Sequence, residues 1–252
     1  MARSAIDMLA ILGRACQDLL FPPSCLGCRT PLPSSQPPLF CDQCQGQLQW
    51  LKSPLCPGCG QPWPPGAGGD HYCGACLQKP PHFSRARAAL LYHGPIRVAI
   101  QACKYHGDLA GLASFAALAG RAPARNDDLI GDPTAWDYIL PVPLHVQRLR
   151  ERGFNQALLL ARAFFPGAKE QIRPDLLRRR RWTEPQTGMS GRRRRRNLRD
   201  AFVVDRPQEL KNRRILLVDD VFTTGSTGNE CARVLKAAGA AEVALFTLAR
   251  VR

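Results

Sequence analysis

The stretch Ile215-Leu216-Leu217-Val218-Asp219-Asp220-Val221-Phe222-Thr223-Thr224-Gly225-Ser226-Thr227-Gly228 constrains the fold of this 252-residue chain more than any other. Four apolar residues lead into two acids and then a loop of small and hydroxyl residues. Cys231, Val234, Leu235 and Ala238 then recur at helical spacing, and Gly239 stands where a helix stop belongs. That order describes a buried strand, a tight turn and a helix N-terminus. Glu242 to Leu248 reads as a second strand beside Ile215–Val218, joined to it by the helix. A βαβ unit of this kind predicts a parallel sheet. Ligands of such sheets sit at the carboxyl edge of the strands, where Asp219 and Asp220 fall.

Such a turn can hold a phosphate. The first turn of a helix offers unpaired N–H groups and the positive end of the helix dipole. Thr223, Thr224, Ser226 and Thr227 add hydroxyl donors, and Gly225 and Gly228 allow close backbone approach. Carboxylates suit sugar hydroxyls rather than phosphate. One ligand meets both needs, a ribose 5-phosphate, with hydroxyls at the acids and the phosphate at the loop. The plainer reading is a generic strand-turn-helix with capping threonines. A Walker loop is excluded because no Lys follows its last Gly, and no Gly-x-Gly-x-x-Gly is present.

A second signal fills residues 25–76. Four Cys-x-x-Cys pairs stand in a row: Cys25/Cys28, Cys41/Cys44, Cys56/Cys59 and Cys73/Cys76, with 12, 11 and 13 residues between successive pairs. A two-residue gap lets both thiolates of a turn face one ion, and two turns close a tetrahedral four-cysteine zinc shell. The eight ligands predict two structural Zn2+, one on Cys25, Cys28, Cys41 and Cys44 and one on Cys56, Cys59, Cys73 and Cys76. Interleaved pairing is also compatible with the spacing, and disulfides or an iron–sulfur cluster are the competing chemistries. Gly27, Gly58, Gly60 and Gly74 fit the knuckle turns. A segment this short and proline-rich cannot bury much core, so metal supplies its folding energy. Cys16, Cys103 and Cys231 read as small buried apolar residues, and His71 reads as a loop residue.

The division expected is an amphipathic N-terminal helix over 1–24, the ribbons over 25–80 and an α/β domain over 81–252. A signal peptide is the rival for residues 1–21, but Asp7 and Arg14 interrupt its apolar region. No apolar run reaches the ~18 residues of a membrane span, and the chain reads as cytoplasmic. Ala86 to Tyr92 reads as a strand, followed by a helix from Pro95 to about Lys104. A break follows at Lys104–Asp108, then a helix to Ala119. Asn126 to Trp136 reads as loop, Tyr138 to Val142 as a short strand, and the run from His145 as leading into a helix through Phe165.

The segment Ile215 to Thr227 resembles the phosphoribosyl pyrophosphate (PRPP) motif of type I phosphoribosyltransferases at every position. That implies ribose hydroxyls at Asp219 and Asp220 and the 5′-phosphate at Thr223, Thr224, Gly225, Ser226 and Thr227, usually with Mg2+ on the PRPP. Pro-Val-Pro-Leu-His at 141–145, Arg-Leu-Arg-Glu-Arg-Gly-Phe-Asn-Gln at 148–156 and the cysteine-rich front together resemble the ComF/GntX family. Its members place a double zinc ribbon before a phosphoribosyltransferase domain, and the resemblance runs from Cys25 to about Arg250. By it, Lys104 is a candidate for the pyrophosphate, with a solvated lysine as the alternative. Arg152 is a candidate phosphate contact, with an internal salt bridge as the alternative. Thr183, Pro185, Gln186, Gly188, Asn197, Ala201 and Phe202 match a further family segment where type I enzymes carry a mobile catalytic loop.

Charge adds a partner. Residues 145–214 hold 20 Lys/Arg against 7 Asp/Glu, +13 of the chain's total of +15. Arg178, Arg179, Arg180 and Arg181 form one run, Arg192, Arg193, Arg194, Arg195 and Arg196 another, with Trp182 between them. A solvated loop tolerates this, since screening acts over about 8 Å at physiological salt. A nucleic-acid backbone uses it better, through counterion release, and Trp182 can stack on an exposed base. Three functions follow. The resemblance implies a protein of DNA uptake or nucleic-acid metabolism that binds PRPP or a nucleotide phosphate. Its partner would be single-stranded DNA, a DNA-uptake helicase or another protein. The second is an active phosphoribosyltransferase with an unknown acceptor, and the third a structural zinc-ribbon protein without ligand.

Overall fold

A computed structural model describes residues 22–107, 109–123, 132–182, 198 and 200–252. Residues 1–21 of the N-terminal helix expected over 1–24, with Cys16, lie outside them, as do Asp108, residues 124–131, and residues 183–197 with Arg192–Arg196. Four strands form one sheet: β1 (Ala86–Leu91), β2 (Tyr138–Pro141), β5 (Arg214–Phe222) and β6 (Glu242–Arg250). Their order is β1-β6-β5-β2 and every pairing is parallel. Two short strands, β3 (Leu177–Arg179) and β4 (Phe202–Val204), form a separate antiparallel ribbon. Among the described residues no helix is long and apolar enough to cross a membrane.

The unbroken apolar run of β5 is explained by cover on both faces. Leu216 and Val218 face a core with Ile96, Ile100 and Cys103 of helix Gly94–His106, Phe115 of helix Gly111–Arg121 and Leu160 of helix Gln156–Phe164. Ile215 and Leu217 face the other core, where Cys231 and Leu235 of helix Ser226–Ala237 meet Leu177 and Phe202 of the ribbon. Cys103 and Cys231 are thus small buried side chains. Three boundaries moved from their sequence positions. β5 continues through Asp219 and Asp220 to Phe222, because β6 supplies partners as far as Arg250. The helix placed from Pro95 runs to His106 and ends at left-handed Gly107 (φ 66°), so Lys104 lies within it. The helix expected through Phe165 is two, Val146–Arg152 and Gln156–Phe164. Gly153 turns left-handed (φ 79°) between them, and Asn155 caps the second by accepting from Ala157 N at 3.0 Å.

The cysteine-rich segment is built onto the sheet. Leu51 N donates to Ala89 O (3.0 Å) and Leu91 N to Gln49 O (2.8 Å), so residues 49–51 extend the β1 edge. Cys25, Leu26, Phe40 and Leu48 share the first core with Leu90 and Ile96. Gly60 shows how close the two parts lie. Its φ is +68°, and a Cβ there would stand 2.6 Å from the Ala86 carbonyl oxygen. Gly60→Ala is therefore expected to cost about 2–3 kcal/mol in urea denaturation, from left-handed strain plus a backbone clash. Gly74→Ala, where a Cβ meets nothing within 4 Å, is expected to stay within about 0.5 kcal/mol of the parent.

Candidate functional site

The acid pair lies in the second half of β5, toward the carboxyl edge of the sheet. Asp220 accepts a hydrogen bond from Lys104 Nζ at 2.8 Å, with the two side chains 13% and 20% exposed. Helix Gly94–His106 thus delivers its lysine to β5 across 116 residues of sequence. Asp219 turns toward the other core, near Arg179 and Cys231. Burial raises the Asp219 pKa and the neighbouring Asp220 charge adds to that. Lys104, the Asp220 N–H and Arg179 oppose the rise, and the result is about 7. Burial alone would depress Lys104, but the two aspartates outweigh it and its pKa is raised.

One consequence can be measured directly. Lys104→Met leaves two neighbouring carboxylates without their cation. Removing one partner of such a pair is expected to cost about 2–3 kcal/mol at pH 8. The cost is expected to shrink at pH 5.5, where Asp219 holds a proton. Urea denaturation at both pH values checks it, and equal losses at the two would contradict the coupling.

Beyond Phe222 the loop turns at Gly225 (φ 71°), which precedes helix Ser226–Ala237 and provides no side-chain cap. Thr224 and Ser226 hydroxyls lie 2.7 Å apart, and Ser226 N donates to Thr224 Oγ1 at 3.4 Å. Gly225 has a packing reason besides its φ, since a Cβ would sit 2.5 Å from Phe222 Cζ. A Cβ at Gly228 would lie 2.5 Å from Leu245 Cδ2, so the helix rests flush on β6. Thr223, Thr224, Gly225, Ser226 and Thr227 are thereby brought to one helix N-terminus, next to the acids along the chain.

The arginines separate into distinct environments. Arg152 ends its short helix with its guanidinium 5.8 Å from the exposed ring of Tyr105, the neighbour of Lys104. Arg148 lies 5.5 Å from the Trp182 ring, which also meets His145 edge-on at 5.3 Å. Arg178 forms a two-pronged pair with Asp205. Arg179 packs over Phe202 at 5.6 Å, and burial lowers its pKa. Arg180 and Arg181 are exposed. Of the first basic run, then, Arg179 is the one turned inward, while Arg178 is exposed but paired with Asp205.

Both cysteine sets converge. The Sγ atoms of Cys25, Cys28, Cys41 and Cys44 lie within 4.8 Å of one another, as do those of Cys56, Cys59, Cys73 and Cys76. No disulfide joins any of them. Cys28 and Cys41 Sγ are 3.7 Å apart, and Cys59 and Cys73 Sγ likewise. A tetrahedron with Zn–S bonds of about 2.3 Å has edges of ~3.8 Å, so the residues fit the ion. Burial would raise the Cys56 thiol, but backbone N–H groups including those of Cys73 and Gly58 outweigh it and bring it to about 7. Cys41 N and Cys73 N each donate to an Sγ of the opposite turn at 3.3 Å. His71 stays out of both sets, stacked on Trp63 at 4.2 Å.

Sequence reasoning missed Arg250 and Arg87. Arg250, 4% exposed at the end of β6, donates to the Cys59 carbonyl and to Gln61 Oε1 (2.7 Å) while lying 4.8 Å over Phe222. Arg87 Nη1 donates to Pro57 O at 3.0 Å. A charged residue closing an otherwise apolar strand, Val243 to Arg250, was the available signal.

Two family models match the chain: a double zinc ribbon domain over residues 16–77 and a phosphoribosyl transferase domain over residues 153–252. DNA utilization protein YhgH of Escherichia coli O157:H7 is 36% identical over 235 residues, covering 92% of this chain and 99% of that one. Competence protein F of Haemophilus influenzae is 33% identical, with 83% and 96% covered. Competence protein ComFC of Bacillus subtilis is 27% identical, with 83% of each chain covered.

Proposed function

Since this chain belongs to the ComF family, a double zinc ribbon joined to a phosphoribosyltransferase domain, we propose that it serves DNA uptake or DNA utilisation by holding PRPP, or a nucleotide's phosphorylated ribose, at the end of β5. The observation that carries this reading is the Lys104–Asp220 pair beside Asp219, on the strand that leads directly into the hydroxyl loop. Two adjacent carboxylates, one of them paired with a lysine, suit hydrogen-bond acceptance from a sugar diol. When the diol arrives, its hydroxyls take the place of Lys104 on Asp220, and the ammonium moves to the pyrophosphate. The 5′-phosphate meets the Thr223–Thr227 hydroxyls and the first turn of helix Ser226–Ala237. Arg152, 5.8 Å from the ring of Tyr105, adds a cation for phosphate.

The intact Lys104 favours a second reading, an active transferase. A nucleophile would bond to the anomeric carbon as its bond to the pyrophosphate oxygen breaks. The chain's part is orientation of the ribose and charge stabilisation of the leaving group. Mg2+ bound to PRPP would neutralise part of the pyrophosphate's charge. DNA enters through the relatives' names, DNA utilization protein and competence protein, and through the exposed Arg180, Arg181 and Trp182 at the rim. Single-stranded DNA, or a helicase or other protein of the uptake machinery, is the partner these suit.

A fluorescent dT oligonucleotide titrated at several salt concentrations tests the DNA half. Binding should weaken as salt rises, with a log–log slope near −0.7 per phosphate contacted. Arg180→Ser with Arg181→Ser should flatten that slope by about one unit or more. Unchanged binding in the double variant would remove these residues from the interface. Release of pyrophosphate from PRPP on addition of candidate bases separates the transferase reading from the adaptor reading.

A further inference from the structure

Helix Gln156–Phe164 carries one polar side chain among its buried residues. Gln156 stands four residues before Leu160, which faces the first core, and an apolar residue is the ordinary choice on such a stripe. The side chain is 3% exposed. Among the described residues its Nε2 is buried with no hydrogen-bond partner. An unmade bond of this kind costs free energy, and a folded protein that keeps one has a use for it. The surroundings show the use. Gln156 lines a small space of about 10 Å3 together with Lys104 and Asp220, walled otherwise by apolar side chains such as Phe115, Leu160 and Leu248. The Lys104 ammonium and the Gln156 Nε2 are both donors only, and the Asp220 carboxylate is the charged acceptor beside them. Lys104 holds that carboxylate at 2.8 Å.

We propose that Gln156 is a positioning residue of the PRPP site: its Nε2 donates to Asp220 once Lys104 has moved to the pyrophosphate. The proposal rests on the reading of the crevice as a ribose site, and adds to it the group that takes over from the ammonium. Departure of the lysine would otherwise leave Asp220, 13% exposed, beside a second carboxylate with no donor on its inner side, a costly arrangement. The amide meets that need without adding charge. Asp220 keeps its full negative charge for the sugar hydroxyls, which a retained ammonium would partly cancel. Gln156 opens its helix, and the Asn155 cap on Ala157 N (3.0 Å) fixes that end. The amide therefore stays in place while the longer lysine swings away. The hydrogen bond left unmade in the ligand-free protein is made in the bound one, so the free energy withheld from the first state reappears as affinity in the second.

The test is a double-mutant cycle on the full zinc-loaded chain, first without ligand. Gln156→Met keeps an unbranched side chain of similar length and removes the amide. In the parent background it is expected to hold or raise the urea midpoint, because the donor it deletes has no partner there. In the Lys104→Met background Asp220 is open to the amide, and the same substitution is expected to lower the midpoint. A merely structural glutamine gives the same change in both backgrounds. With PRPP and Mg2+, Gln156→Met should bind at least tenfold more weakly than the parent, the scale of one hydrogen bond to a charged acceptor. Gln156→Leu repeats the series should Met pack poorly. A loss of stability in the parent background would show the amide already paired, to a water for instance, and overturns the proposal. So does an equal change in both backgrounds, or parental PRPP affinity in a folded Gln156→Met. A parent that binds no PRPP contradicts the ribose reading instead, and the ligand-free cycle still decides whether the amide replaces the ammonium on Asp220.

Discussion

Stripping zinc from this protein should unfold far more than the cysteine-rich segment. Zinc binding to four cysteines supplies roughly 10–16 kcal/mol of apparent folding energy in small domains, and here the segment is shared structure. Residues 49–51 hydrogen-bond the β1 edge, Leu26 and Phe40 belong to the main core, and Arg250 ties β6 to Cys59 and Gln61. Chelation with a competing thiol-tolerant ligand is therefore expected to lower Tm by at least 15 °C in a single transition, using about 2 °C per kcal/mol as a conservative scale. Metal analysis should give two zinc ions per chain, and Cys56→Ser/Cys59→Ser should retain one. A two-step melt in which the sheet keeps its parental Tm would show that the ribbons are an independent attachment.

The second large effect is a trade between stability and binding at Asp219. Its folded pKa is raised to about 7, whereas an unfolded aspartate titrates near 4. Below about pH 4 both states are protonated and the residue costs nothing. Between about 4 and 7 only the unfolded state has released its proton, so the group's stability falls as pH rises; above 7 the loss is complete. Asp219→Asn removes that loss. The variant is expected to be more stable than the parent by about 2 kcal/mol at pH 8, after allowance for screening at the crevice mouth, and near parity at pH 4. The same variant should bind PRPP at least 100-fold more weakly, because hydrogen bonds to a charged acceptor contribute about 1.5–3 kcal/mol each. Denaturation across pH with a parallel binding series measures both. A variant that loses stability at pH 8 would show Asp219 to be a structural anchor.

The parts of this structure that were legible in the sequence are those fixed by short-range pattern. The apolar run of β5 and the helical spacing after Thr227 place the loop within a residue or two. Cys-x-x-Cys spacing located both metal sets, and the chain groups them in sequential pairs. What stayed hidden depends on long separations. Lys104 was marked by resemblance, but its hold on Asp220 spans 116 residues. Arg178 read as one of four repelling cations, yet the β3–β4 ribbon brings Asp205 to it from 27 residues away. Gln49-Trp50-Leu51 carries too few residues to show a strand period, so its addition to the β1 edge left no local trace. A cavity of about 310 Å3 needs two remote segments at once, the second ribbon and the loop after β5.

All of this turns on whether the crevice beside the paired aspartates receives a phosphorylated ribose. Isothermal titration of the zinc-loaded chain with PRPP and Mg2+ at pH 8, set beside Asp219→Asn/Asp220→Asn, asks that most directly. One ligand per chain in the parent, and heat of dilution alone in a double variant that remains folded and zinc-loaded, is the expected outcome. No binding by the parent, or undiminished binding by the double variant, would contradict it.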